Sequence, residues 1–256
     1  MSGLDVTVLI TTFRRPMLLE RCLAAAIDQD FLSYEILIID DASNDSTLSM
    51  AYSYCDRYPN LIRVVTKPKN LGLANSRNVG VVNARGKYIA FLDDDDFWLN
   101  PGVLSKQYAK SRPGFIVCGS VRDSDGQILT KTLPKSWKSR LVYRNGFIHT
   151  STVMISRNDI LSVGGFDERM SRGIDSDLYR RMVFQNRVNI LFSSEILSHY
   201  ELASNNRITS QKRSSWEKLV FLWETGYVLL KYRFLALKYP AEYLKRVLIS
   251  LKQALK

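Results

Sequence analysis

Four consecutive carboxylates, Asp93-Asp94-Asp95-Asp96, follow directly on the apolar run Tyr88-Ile89-Ala90-Phe91-Leu92. Like charges packed this closely cost free energy unless a cation sits among them, so the run outlines a metal site. A solvated acidic turn that caps the next helix is the plainer alternative. The position favours ligand chemistry, because the run starts where a buried strand ends, and open α/β sheets bind their ligands at the carboxyl ends of strands. A second carboxylate pair, Asp40-Asp41, ends the strand-like run from Tyr34 to Ile39. Helix capping is the ordinary use of such residues, since Asp is common just before helices.

These groups must be carried by elements that alternate. Val6 to Ile10 reads as a strand, and Thr11-Thr12-Phe13-Arg14-Arg15 as a loop leading through Pro16 into a helix to about Asp28. Tyr34 to Ile39 is the second strand, and Ser46 or a polar neighbour caps a helix to about Arg57. Ile62 to Thr66, a helix from Leu73 to Asn83, and a turn at Arg85-Gly86 lead to the central strand and the acidic run. This alternation implies a parallel sheet with right-handed crossovers. Beyond it the pattern is mixed. Phe115 to Gly119 and Ile128 to Leu133 read as strands around the turn signal Asp125-Gly126. Thr152 to Ser156 reads as a further strand, Arg157 to Val163 as a short helix, Gly164-Gly165-Phe166-Asp167 as a turn, and Leu178 to Gln185 as a helix.

The segments LITTFRR, EILIIDDASNDST, NLGLANSRNVGVVNARGKYIAFLDDDDFW and VGGFDE…GIDSDLYRRM, in this order over roughly residues 5 to 200, resemble the successive motifs of family 2 glycosyltransferases of the GT-A fold. The resemblance implies an α/β, Rossmann-like, mixed but mostly parallel sheet flanked by helices, to which the residues beyond the matched motifs add a C-terminal helical appendage. It implies a donor half over residues 1–100, an acceptor half over 101–206, and a tail over 207–256 outside the pattern. Transfer from a nucleotide sugar, most plausibly a UDP-sugar, to a saccharide acceptor with inversion is the implied activity. Bacterial members commonly build surface polysaccharide or lipopolysaccharide, which makes a lipid-linked acceptor the expectation.

By the same resemblance, Asp41 accepts a hydrogen bond from the uracil, with Asp40 as runner-up. Thr11, Thr12, Phe13 and Arg14 line the nucleotide loop, and Arg77 approaches ribose or phosphates, although a solvated helix face would also explain an arginine there. Two donor phosphates call for a hard divalent cation on oxygen ligands, Mn²⁺ or Mg²⁺. The motif Asp93-x-Asp95 suits it, with Asp95 on the metal and Asp93 near ribose and metal; Asp94 and Asp96 leave the register open by one residue. Asp175 aligns with the catalytic aspartate, the base that takes the acceptor proton. Ile174 stands where the family pattern has Glu. Asp177 reads as a structural residue at a helix start. His149, Thr150, Gly165 and Phe166 are candidates for acceptor contact, with a structural role equally open to His149.

Two other functions compete. Sugar-nucleotide synthesis calls for a glycine-rich loop after the first strand, and Thr11 to Arg15 holds no glycine. A catalytically silent carbohydrate- or partner-binding module of the same fold is suggested by Ile174.

Composition narrows the setting. Three cysteines, Cys22, Cys55 and Cys118, show neither disulfide nor zinc spacing. With no basic leader before the first apolar run, a cytoplasmic location is expected. Of the net charge of +11, the last fifty residues carry eleven Lys/Arg against three Glu. No nucleic-acid motif accompanies that charge, so nucleic acid is not an expected partner. Two helices are expected, Ser215 to Tyr239 and Pro240 to Leu255. Their apolar and basic residues alternate near helical spacing, with Glu224, Lys231 and Arg233 interrupting any membrane span. Such helices suit an anionic membrane surface, packing on the catalytic domain, or a homodimer contact.

Overall fold

The computed structural model describes residues 4–143, 148–200 and 215–254. The chain divides into two compact units, residues 1–132 with 147–203, and residues 133–146 with 204–256.

The first unit is built on an eight-stranded sheet. Its first half alternates strand and helix: β1 (Val6–Thr12), α1 (Pro16–Ile27), β2 (Tyr34–Asp40), α2 (Ser46–Arg57), β3 (Ile62–Thr66), α3 (Leu73–Asn83) and β4 (Tyr88–Phe91). Then come β5 (Phe97–Trp98), α4 (Val103–Lys110), β6 (Phe115–Asp123), β7 (Met154–Ser156), α6 (Arg157–Ser162), α7 (Ile174–Phe184) and β8 (Asn189–Tyr200), with α5 (Trp137–Tyr143) set between β6 and β7 in the other unit. The sheet order is β3-β2-β1-β4-β7-β6-β8-β5. Strands β1, β2, β3 and β4 pair in parallel, β7 pairs antiparallel with β4 and β6, β8 runs parallel to β6, and β5 pairs antiparallel with β8.

Every residue of β1 and β2 is buried, the condition that selects near-continuous Val, Ile and Leu over strict alternation. Val6, Val8 and Ile10 pack with Leu19, Cys22, Leu23 and Ala26 of α1 and with Ile36 and Ile38. Helix α3 lies against Leu9 at Gly80, where an added Cβ would come within 2.3 Å of a leucine methyl. That close approach carries Arg77, one turn earlier, into the sheet's edge of loops. The chain goes from β1 outward through β2 and β3, and then returns to the other side of β1 as β4. The crevice between β1 and β4 is therefore a topological switch point, where doubly wound sheets receive their ligands.

Several expectations need correction. Ile128 to Leu133 is not a strand: the turn closes, with Asp123 N donating to Gln127 O at 2.9 Å, but only Arg122 and Ile128 form a bridge. Thr150–Thr152 is a 3₁₀ turn, and the strand starts at Met154. Helix α7 begins at Ile174, placing Asp175 in its first turn rather than ahead of it. The long strand β8 and the helices α4 and α5 were not anticipated.

In the second unit the first expected tail helix is broken into α8 (Ser215–Lys231) and α9 (Leu235–Lys238), followed by α10 (Pro240–Ala254). Helix α5 belongs with them, so the helical unit takes in residues 133–146, which the sequence pattern had grouped with the acceptor half. The expectation of continued helix at Leu255 lies outside the described residues.

Candidate active site

The acidic run is a tight turn, with Asp96 N donating to Asp93 O at 3.0 Å. Helix α1 holds it from below: the Arg21 guanidinium donates to Asp95 O at 2.8 Å, and Cys22 Sγ lies 3.6 Å from Asp93 O. The four side chains divide into two kinds. Asp94 is buried, accepting from Thr12 Oγ1 at 2.8 Å and from Arg15 at 2.9 Å, and burial pushes its carboxyl up to about 6 although Arg15 pulls it back. Asp96 is buried and accepts from Ser151 Oγ at 2.5 Å; the same oxygen receives Asp93 N at 3.2 Å. Asp93 and Asp95 face outward, their side chains 34% and 17% exposed, with Arg15 3.4 Å from Asp95.

This alternation bears on the register that the sequence left open. Asp94 and Asp96 are spent on holding the turn, whereas Asp93 and Asp95 present carboxylates to solvent. Among the described residues no group of three His, Cys, Asp or Glu forms a ready-made cage. A pair of outward carboxylates still fits Mg²⁺ or Mn²⁺, which is commonly held by one or two carboxylates while substrate phosphates complete the shell.

Arg77 joins the acidic turn to Asp175. Its buried guanidinium donates through one nitrogen to Asp93 Oδ1 at 2.7 Å and through the other to Asp175 Oδ1. The rings of Phe91 and Phe166 lie 5.9 Å and 5.4 Å from it and meet edge to face. Burial works against the charge, but Asp175 and Asp93 outweigh it and keep the group ionised. Arg77 is thus a buried bridge between two carboxylates, not the solvated helix face that remained open from sequence. Two ionised partners and two ring faces make good the desolvation that an arginine rarely survives.

Asp175 itself is a quarter exposed. Burial raises its carboxyl above the usual range, Arg77 draws it down, Asp93 raises it, and a hydrogen bond from Thr150 lowers it. Tyr179, one turn along α7, is buried beside it. Ile174 is buried at the start of the helix. Asp177 is wholly buried and accepts from Arg181 at 2.8 Å, which also donates to Val163 O at 2.6 Å.

The remaining candidates are His149, Thr150, Gly165 and Phe166. Thr150 lowers the Asp175 carboxyl, and His149 sits 3.3 Å from Thr130 Oγ1, with burial lowering its imidazole to about 4. A neutral His149 is the consequence. Phe166, expected to meet the acceptor, instead turns inward onto Arg77 and Phe91, so it positions that guanidinium. Gly164 and Gly165 both have positive φ, and Asn78 clamps the loop to α3 by accepting from Phe166 N at 2.7 Å and donating to Phe166 O at 2.9 Å.

The loops after β1 and β2 form the other wall. Asp41 N donates to Thr12 O at 3.0 Å, and Arg14 N to Ser43 Oγ at 2.9 Å; Arg14 and Ala42 both adopt left-handed backbone. Asp41 is buried and engaged by Lys67 at 2.6 Å and by the amides of Leu71 and Gly72. Asp40 accepts from Ser43 N and Thr66 Oγ1 through one oxygen, and its buried Oδ1 has no partner among the described residues. Thr11 is buried, and the Arg14 guanidinium lies over the Phe13 ring at 4.8 Å. Arg15, Lys67 and Asn78 were missed in the sequence, as was the hold of Ser151 on the acidic turn. Arg15 and Asn78 stand inside recognised motifs, but nothing near Ser151 points to the acidic turn.

Residues 7–177 match the family described as Glycosyl transferase family 2, and the chain belongs to that family. It is 27% identical over 238 residues to the amylovoran biosynthesis glycosyltransferase AmsB of Erwinia amylovora, covering 87% of this chain and 77% of that one. An uncharacterized Mycobacterium tuberculosis protein is 37% identical over 134 residues, 48% of this chain but only 38% of its own length. The fold matches Staphylococcus aureus TarS 1–349 in complex with UDP-GlcNAc at a TM-score of 0.69, with 19% identity, 89% of this chain and 67% of that one. It also matches the mannosyltransferase PcManGT from Pyrobaculum calidifontis, in complex with GDP-Man and Mn²⁺, at 0.62, with 18% identity, 79% and 58%. The architecture is thus GT-A.

Proposed function

We propose that the chain is an inverting glycosyltransferase. It moves a sugar from a nucleotide donor, by preference a UDP-sugar, to a lipid-linked saccharide in bacterial polysaccharide synthesis. The observation that carries this reading is the single buried guanidinium of Arg77 that ties an outward carboxylate of the acidic turn, Asp93, to a second carboxylate, Asp175. Two acidic groups with different tasks are thereby held in one register. AmsB, named for amylovoran biosynthesis, supports the biosynthetic setting, and the TarS complex with UDP-GlcNAc supports the donor class.

In this reading, Thr11, Thr12, Phe13, Arg14, Asp40 and Asp41 receive the nucleotide at the ends of β1 and β2. Asp93 and Asp95 would hold a divalent cation, which supplies Lewis-acid stabilisation of the charge on the departing diphosphate. Asp175 accepts the proton of the acceptor hydroxyl as its oxygen bonds to the anomeric carbon. The bond to the donor phosphate breaks with its electron pair leaving on the nucleoside diphosphate, which inverts the centre. Thr150 and the neutral His149 are assigned, on this reading, to orienting the acceptor hydroxyl. A base of this kind contributes roughly 10²–10⁴ in rate.

The test is donor binding. Thermal shift across a set of nucleotide sugars, with and without Mn²⁺, should single out a donor that stabilises the fold by mass action. Asp95→Ala should abolish the Mn²⁺-dependent part while leaving the melting temperature of the free protein nearly unchanged. Donor affinity that is unaltered in Asp95→Ala with Mn²⁺ present would remove Asp95 from the metal site.

A further inference from the structure

Charge and apolar surface are both concentrated in the helical unit. By sequence, residues 133–146 and 204–256 carry fifteen Lys/Arg against three Glu, whereas the other unit carries twenty-one against twenty-two Asp/Glu. The excess of +12 therefore lies on the helical unit, and the sheet unit is close to neutral.

The helices also face the wrong way round for a domain that ends in water. On α10, Ala241, Leu244, Lys245, Leu248 and Ile249 are exposed, an i, i+3, i+4, i+7, i+8 stripe. Two polar residues of α10 turn inward: Tyr243 donates its hydroxyl to Leu229 O at 2.6 Å, and Arg246 donates to Val142 O at 3.1 Å. Helix α8 repeats the inversion, with Glu224 buried and Leu222 and Trp223 exposed. Leu237 of α9 is 92% exposed, beside the exposed Arg233 and Lys238. Leu141, Val142, Val228, Tyr232 and Leu235 of this unit are buried. Its outward leucines lie outside that buried set. Eight of the sixteen large apolar side chains exposed among the described residues lie between Leu222 and Ile249.

We propose that this unit is a membrane-docking module that seats Leu237, Leu244, Leu248 and Ile249 in the interface of an anionic bilayer, with Arg233, Lys238 and Lys245 at the headgroups. Apolar side chains ask for a non-aqueous medium, and the basic residues among them select a surface of negative charge. No helix of the described residues is long and apolar enough to cross a membrane, so the contact is interfacial. A second copy of this chain fits less well, because it would bring one strongly basic unit against another.

The full chain is tested by flotation with phosphatidylcholine vesicles with and without phosphatidylglycerol. Binding should require the anionic lipid and weaken with added salt. Leu237→Ser/Leu244→Ser/Leu248→Ser should lower partitioning by roughly a hundredfold or more, since each removes an apolar side chain that the bilayer interface would take out of water. Lys238→Glu/Lys245→Glu should lower it on anionic vesicles alone. All these residues are exposed, so the variants should keep the wild-type melting temperature and, independently of vesicle binding, any nucleotide-sugar binding. Equal binding of the triple variant and the wild type would overturn the proposal. So would the absence of vesicle binding together with a dimer in sedimentation equilibrium that the three serines dissociate.

Discussion

At the scale of the residue, the central feature is one buried cation shared by two carboxylates of different elements. Asp93 and Asp175 are partly exposed and can shed some of their charge to water, but Arg77 cannot. Replacing it with methionine fills the space between Phe91 and Phe166 and leaves two like charges facing each other. Arg77→Met should cost on the order of 3 kcal/mol, the low end for a broken buried pair because both partners keep some solvent. Urea denaturation measures it. The pH dependence has a definite sign. Asp175 already sits above the usual carboxylate range, and as the proposed base it must be ionised to take a proton. Loss of Arg77 removes an influence that lowers it, so the acid limb of kcat/KM should move to higher pH; a limb that stays in place would detach Arg77 from Asp175.

At the scale of the element, the loop between α6 and α7 shows how backbone conformation positions side chains. Gly164 and Gly165 have φ of +79° and +69°, yet a Cβ at Gly164 meets open space while one at Gly165 would lie 2.5 Å from Asn78 Oδ1. Gly164→Ala should cost about 1–2 kcal/mol, the left-handed penalty alone. Gly165→Ala should cost more, because it also breaks the Asn78 clamp that holds Phe166 over Arg77. Equal losses in thermal denaturation would show that the clamp contributes nothing. The first half of the sheet was legible from sequence because buried parallel strands are continuous apolar runs between helix signals; Ile62–Thr66 and Leu73–Asn83 match to the residue. The second half was not. Strand β8 mixes Ser193, Ser194 and Glu195 into its apolar pattern, and its pairing with β6 shifts register at Cys118 and Ser120. Ile128 to Leu133 carries strand-like residues, but without the pairing partner that would make them one.

At the scale of the whole molecule, the motif order was readable because each motif sits at a strand end that the sheet brings to one place. What sequence could not supply was the division of labour within the acidic run. Alternation between Asp93 and Asp95 outward and Asp94 and Asp96 inward depends on Thr12, Arg15 and Ser151, which lie far away in the chain. The tail's basic character was plain from composition, whereas its inverted helix faces depend on how α5, α8 and α10 pack. In the proposed mechanism Asp175 is a base held in place, not a group that binds the donor. Asp175→Asn is nearly isosteric but cannot accept the acceptor's proton. Single-turnover transfer and donor affinity should be measured together on this variant, once the donor is identified. Affinity with Mn²⁺ should survive, and the loss, roughly 10²-fold or more, should fall on kcat. Transfer at the wild-type rate by Asp175→Asn would contradict this role.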